Sequence, residues 1–126
     1  MGGGTYFQIV KKNEIYNELK IAVAEMQKFG SGCTEASIKG LSSKSHSNTC
    51  NKVQKLISEL RRNKKSLNSK SFKVEDIIIE LDNLLIAFSQ TTIIDTKLLM
   101  TNGKPLYNKL NELENHFDPS NSLPIP

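Results

Sequence analysis

The chain has 126 residues, of which 37% are hydrophobic and 24% are charged, a composition typical of folded globular proteins and not of disordered ones. A chain of this length suits one domain with a single core. Its apolar runs are shorter than the roughly 18 residues that cross a bilayer, and its N-terminus lacks the charged start and apolar stretch of a secretory signal. We therefore expect a cytoplasmic protein that is not transmembrane, or one delivered into a host cytosol.

Positive charge is concentrated in one part of the chain, although the net charge is only +4. Residues 39–73 contain ten basic residues and a single acidic one, Glu59, whereas the other residues include seven basic and twelve acidic ones. Clustered cations attract acidic partners and speed their association. The alternative is an exposed helix face whose charge is balanced by acidic helices elsewhere in the fold.

Apolar residues recur at helical spacing and nowhere alternate as in a strand, which indicates an all-α small helical bundle of about four helices. The first helix is predicted over residues 13–29, with Asn13 as its cap and Gly30 as its stop. Residues 1–12 are expected to form a flexible or partly ordered lead. A short helical turn is predicted at residues 34–39.

The second long helix is predicted over residues 47–64, with apolar residues on its inward side. Its outward side carries part of the basic segment. The outward cations are Lys52, Lys55, Arg62 and Lys65.

The third helix, predicted over residues 72–92, has apolar residues on two sides. One side is a continuous apolar face suited to packing in the bundle. On roughly the opposite side Ile79, Ile86 and Ile93 recur every seven residues, provided that the helix continues through Thr92. Such a helix either lies between neighbours in its own bundle or presents a seam to another chain.

The last helix is predicted over residues 105–117, because Pro105 is favoured in the first turn of a helix. A short helical turn at residues 95–101 precedes it. Residues 118–126 contain three prolines and are expected to form an extended tail. The predicted organisation is a single helical-bundle domain over residues 13–117.

His46 and Cys50 are four residues apart and share a helix face if the second helix starts early, as in a pair of metal ligands or a Cys–His nucleophile. A tetrahedral metal site needs further ligands, and Cys33 and His116 would supply them only through the tertiary fold. We predict instead a buried cysteine and an exposed histidine. No phosphate-binding loop, nucleophile elbow or zinc-binding helix motif is present, and we predict no cofactor, no metal and no catalytic activity.

The sequence favours a protein-binding module that acts as an inhibitor, adaptor or regulator of a cognate microbial enzyme or effector. In this hypothesis the Ile79, Ile86 and Ile93 seam supplies affinity for another protein or for a second copy of the chain. The basic surface of residues 52–73 steers a partner with an acidic surface. The residues predicted to bind the partner are Ile79, Ile86, Ile93, Lys52, Lys55, Arg61, Arg62 and Lys65.

The alternative function is binding of nucleic acid or anionic phospholipid by the basic second helix and the linker after it. Two features of the basic segment weigh against nucleic acid. Only two of its ten cations are arginines, and Phe72 is the single aromatic residue among them. The residues that would bind the polyanion are Lys52, Lys55, Arg61, Arg62, Lys64 and Lys65.

Overall fold

The computed structural model describes residues 2–30 and 32–120, and in these ranges the chain forms helices and no strand. This result confirms the all-α class. None of the described helices is both long and apolar enough to cross a bilayer. The helices are α1 (Gly2–Met26, followed by a 3₁₀ turn at Gln27–Phe29), α2 (Glu35–Lys39), α3 (Ser43–Arg62), α4 (Lys64–Leu67), α5 (Val74–Gln90) and α6 (Thr96–Phe117).

The four long helices form a bundle in which α1 and α5 are diagonal to each other. Helix α1 packs against α3 and α6, and α5 packs against the same two helices. Within the described residues the backbones of α1 and α5 do not approach each other closely, and neither do those of α3 and α6. Each long helix therefore buries one stripe toward the shared centre and leaves an outer face.

One end of the bundle core holds a cluster of aromatic rings from three elements. The ring of Phe29 meets that of Phe88 edge to face, with centroids 5.1 Å apart, and His46 lies 4.7 Å from Phe88. His46 Nε2 is 3.0 Å from the carbonyl oxygen of Phe88. Because a carbonyl oxygen only accepts hydrogen bonds, we assign the ring proton to Nε2.

The prediction that His46 is exposed is wrong, since only 8% of the residue is accessible to solvent. Helix α3 begins at Ser43 instead of residue 47, because Ser42 caps it and accepts a hydrogen bond from the Ser45 amide at 3.1 Å. The earlier start places His46 inside the helix, on its buried side.

Helix α1 also begins earlier than predicted, at Gly2 and not at Asn13. A capping residue is only a local signal, because asparagine in a helix interior costs less than about 1 kcal/mol. Residues 2–12, predicted to be a lead, continue the helix. By contrast, the predicted turn at residues 34–39 is confirmed as α2, whose capping box joins Thr34 and Ser37.

The predicted break before Pro105 is wrong, because a single helix, α6, runs through it. Proline cannot donate a hydrogen bond to the Thr101 carbonyl, which costs helix stability. Packing offsets this loss, because a buried stripe continues across the proline with alternating spacings of four and three residues. The stripe consists of Leu99, Gly103, Leu106, Leu110, Leu113 and Phe117.

Helix α5 spans Val74–Gln90, slightly shorter than the predicted 72–92. Its end is fixed by Thr91, whose hydroxyl donates to the Ala87 carbonyl at 2.8 Å and accepts from the Asn102 side chain at 2.8 Å. The predicted tail starts after α6, and residues 121–126 of it lie outside the described residues.

We expect Gly103→Ala to lower the free energy of unfolding by roughly 1–3 kcal/mol, although alanine is the better helix former. An added Cβ would lie 2.6 Å from the Phe29 carbonyl oxygen, so α6 would have to move away from the aromatic cluster. Urea denaturation followed by circular dichroism measures the change.

Gly40→Ala is the matched control, because its added Cβ meets only the Ser37 carbonyl oxygen at an ordinary 3.6 Å. Its free energy of unfolding should stay the same or rise by up to about 1 kcal/mol. Equal stability of the two variants would contradict the close approach of α6 to Phe29.

Candidate binding surfaces

The side of α5 that faces away from α3 and α6 carries two exposed isoleucines. Ile79 is 59% exposed and Ile86 is 51% exposed. Asn83, also exposed, lies between them. We call Ile79, Asn83 and Ile86 the α5 outer face. The alternative considered from the sequence, that neighbours in the bundle cover both sides of this helix, is wrong for the described residues.

Ile93 does not belong to the α5 outer face, which corrects the predicted seam of three isoleucines. The helix ends at Gln90, so the seven-residue spacing no longer fixes the direction of a side chain beyond it. Ile93 is partly buried and packs against the core, whereas its neighbour Ile94 is 88% exposed.

Ion pairs flank the α5 outer face on both sides. Toward α3 and α4, Arg61 pairs with Asp82 and Lys64 pairs with Glu75. Toward α6, Lys109 Nζ lies 3.2 Å from a carboxylate oxygen of Glu80. These pairs largely neutralise the edges of an otherwise acidic helix.

The basic segment is only partly compensated by carboxylates. Among the ten basic residues from Lys39 to Lys73, four form ion pairs: Lys55 with Glu18, Arg61 with Asp82, Arg62 with Glu59, and Lys64 with Glu75. The remaining six make no ion pair with any described residue. They are Lys39, Lys44, Lys52, Lys65, Lys70 and Lys73. Uncompensated positive charge therefore remains on α2, α3 and α4 and on the segment between α4 and α5.

Two of the uncompensated lysines, Lys44 and Lys52, line an open groove of about 660 Å³ between the end of α1 and the first half of α3. We call it the α1–α3 groove. Its other lining residues are Glu25, Lys28, Ser42, Ser45, Asn48, Asn51 and Lys55. Sequence reasoning named Lys52 and Lys55 but missed the rest of this site, because one wall comes from α1, outside the basic segment. A prediction that began α3 at Ser43 would have placed Lys44, Asn48 and Lys52 on one face of that helix, which forms the other wall of the groove.

Because α3 starts early, His46 and Cys50 share one face of the helix, with Cys50 Sγ 3.8 Å from His46 Nε2. The histidine does not activate the thiol, because Nε2 donates its proton to the Phe88 carbonyl and cannot accept another. Burial raises the pKa of Cys50 to about 11, the opposite of the lowered pKa that a reactive thiolate needs. The geometry is that of a structural thiol beside a core histidine.

The other two candidate ligands do not join this pair. His116 stacks on Phe72 near the end of α6, with ring centroids 4.1 Å apart, and Cys33 is a free thiol in the loop before α2. In residues 2–30 and 32–120 no three His, Cys, Asp or Glu side chains come close enough together to hold a metal ion.

We expect slow alkylation of Cys50 in the folded protein, measured in a Cys33→Ser variant that leaves one thiol. With a pKa near 11, only about one thiol in a thousand is ionised at pH 8, against about a quarter in the unfolded chain. The iodoacetamide rate, followed by mass spectrometry, should be at least about a hundredfold lower than in urea and should rise as the pH approaches 11. A native rate at pH 8 that equals or exceeds the rate in urea would contradict the partly buried, protonated thiol.

Comparison of the chain with protein-family models, with curated proteins and with solved structures finds no match. Function must therefore be inferred from the side chains that the fold leaves exposed. Two groups of exposed side chains stand out among the described residues, the α5 outer face and the α1–α3 groove.

Proposed function

We propose that the chain is a non-catalytic protein-binding module whose docking surface is the α5 outer face. The observation that carries the proposal is the exposure of Ile79 and Ile86, at 59% and 51%, on a helix whose opposite side packs against α3 and α6. Single exposed apolar residues are common on protein surfaces. Two isoleucines on one face, about two turns apart, instead resemble the anchors with which helices bind helices.

A second copy of the chain fits this face in an antiparallel arrangement. A two-fold axis near Asn83 sets Ile79 of one copy opposite Ile86 of the other, and the same contact is repeated on the far side of the axis. Asn83 then faces its own counterpart. Its amide group both donates and accepts hydrogen bonds, so the two side chains are complementary. A polar residue of this kind fixes the register of paired helices.

The distribution of charge along α5 also favours the antiparallel arrangement. The acidic residues Glu75, Asp76 and Glu80 lie in its first half, whereas residues 83–90 are uncharged. Antiparallel pairing places the acidic half of one copy opposite the uncharged half of the other. Parallel pairing would set carboxylates against carboxylates. The ion pairs of Asp82 and Glu80 reduce repulsion at the edges of the contact.

The expected association is weak. Full burial of an isoleucine contributes about 1.5–3 kcal/mol, so covering the exposed half of four isoleucines contributes roughly 5 kcal/mol. Association costs about 4–15 kcal/mol in lost freedom of motion. Contacts at the edges must supply the rest, and we expect a dissociation constant of about 10 µM or above. Weak, reversible pairing suits a regulator or adaptor that exchanges a second copy for another partner.

Sedimentation equilibrium from about 10 µM to about 1 mM tests the proposal. The wild-type mass should rise with concentration toward that of a dimer, and Ile86→Asp should remain a monomer at every concentration, because it places a carboxylate in the apolar contact. Ile21→Asp is the matched control, since Ile21 is 45% exposed on α1, diagonally across the bundle. It should associate like the wild type.

A wild-type chain that stays monomeric throughout would overturn pairing through α5. Equal loss of association in Ile86→Asp and Ile21→Asp would do the same, because it would assign the effect to added charge and not to the α5 outer face.

A further inference from the structure

We infer that the α1–α3 groove binds the phosphate backbone of double-stranded nucleic acid without reading its sequence. This surface is separate from the α5 outer face, because α5 packs on a different side of α3 from α1. The inference is independent of the self-association proposed above.

The groove presents its cations in a row. Lys44, Lys52 and Lys55 follow one another along the exposed side of α3, with Asn48 and Asn51 between them. From Lys44 to Lys55 the row spans about 16 Å of helix. Phosphates along one strand of a duplex are spaced at about 3.4 Å of axis, so a row of this length follows several of them.

Most of the charge in the groove is available to a ligand. Lys44 and Lys52 make no ion pair with a described residue. The single lining carboxylate, Glu25, is already bound by Lys28 Nζ at 3.3 Å, and the same Nζ lies 3.5 Å from Ser45 Oγ. Lys55, whose side chain is 63% exposed, lies 3.6 Å from the half-buried carboxylate of Glu18. An ion pair with one end in solvent is weak, so a phosphate competes with the carboxylate for the lysine.

The neutral lining residues match phosphate better than they match a protein surface. They are serines and asparagines, whose hydroxyl and amide groups are common donors to phosphate oxygens. No apolar side chain lines the groove, whereas protein interfaces have an apolar core and amphipathic helices that bind membranes insert an apolar face.

The residue types that are absent from the groove lining indicate which kind of nucleic acid the groove binds. Proteins that hold single strands stack bases on aromatic rings, and proteins that read a duplex sequence most often use arginine on guanine. The lining of the groove contains neither an aromatic residue nor an arginine. A duplex that is bound only through its phosphate backbone needs neither an aromatic ring for stacking nor an arginine for base contacts.

The test measures fluorescence anisotropy of a labelled DNA duplex of about 20 base pairs, titrated with protein between about 50 and 200 mM salt. The test variant is Lys44→Gln/Lys52→Gln. The matched control is Lys97→Gln/Lys104→Gln, which removes the same charge from two α6 lysines that form no ion pair with a described residue and lie outside the groove. All four side chains are exposed, and unchanged urea midpoints would establish that both variants fold.

We expect the groove variant to bind the duplex at least about tenfold more weakly at low salt, and the slope of log K against log salt to shrink by about 2, the loss of two phosphate contacts. The control should keep the wild-type slope. Three results would each overturn the inference: no wild-type binding at low salt, equal losses in both variants, or tighter binding to a single strand. Stronger binding to polyglutamate or to phosphatidylserine vesicles than to the duplex would likewise overturn it, in favour of an acidic protein or a membrane.

Discussion

The contact among Phe29, His46, Phe88 and Gly103 positions the four long helices relative to one another. Phe29 follows α1, and the other three residues come from α3, α5 and α6 respectively. The rings meet edge to face, and the absent side chain at Gly103 lets α6 approach the backbone of Phe29. The hydrogen bond from His46 to the Phe88 carbonyl ties α3 to the last turns of α5. With these contacts fixed, α1 and α5 lie diagonally, and each keeps an outer face.

Helix α3 connects the two proposed binding surfaces and has a different electrostatic role on each side. Beside α5 its cation Arg61 pairs with Asp82, so positive charge there stabilises the edge of the apolar face. Beside α1 its lysines mostly lack carboxylate partners and line a polar groove. The sequence shows one block of positive charge, whereas the fold pairs four of its ten cations with carboxylates and leaves six without an ion pair to a described residue. The two surfaces therefore suit ligands of different chemistry.

Patterns that depend on neighbouring residues predicted much of this architecture. The all-α class, the apolar stripes of the long helices and the outward direction of Ile79 and Ile86 all follow from helical periodicity. Features decided by tertiary packing were not predictable in the same way. Pro105 reads as a helix start, and only the buried stripe on both sides of it explains why α6 continues.

The candidate surfaces likewise combine features that helical periodicity predicts with features that depend on tertiary packing. The direction of Ile86 follows from its place in the helix, but the packing of Ile93 depends on where α5 ends, which Thr91 and Asn102 decide across two helices. The burial of His46 required the correct start of α3. Predicting the α1–α3 groove required knowing that α1 packs against α3. Lys28 and Lys44 belong to different helices, and no spacing along the chain connects them.

The proline within α6 has a further consequence for how the bundle opens. Since the Thr101 carbonyl receives no amide hydrogen bond from residue 105, the first turns of α6 are joined to the rest of the helix less firmly than an unbroken ladder would allow. These turns are held by the Asp95 cap, by the hydrogen bond from Asn102 to Thr91 and by the buried side chain of Leu99. Residues 96–102 thus form a natural unit of local unfolding, and its release would expose the Phe88 end of the core while Leu106 to Phe117 stayed in place.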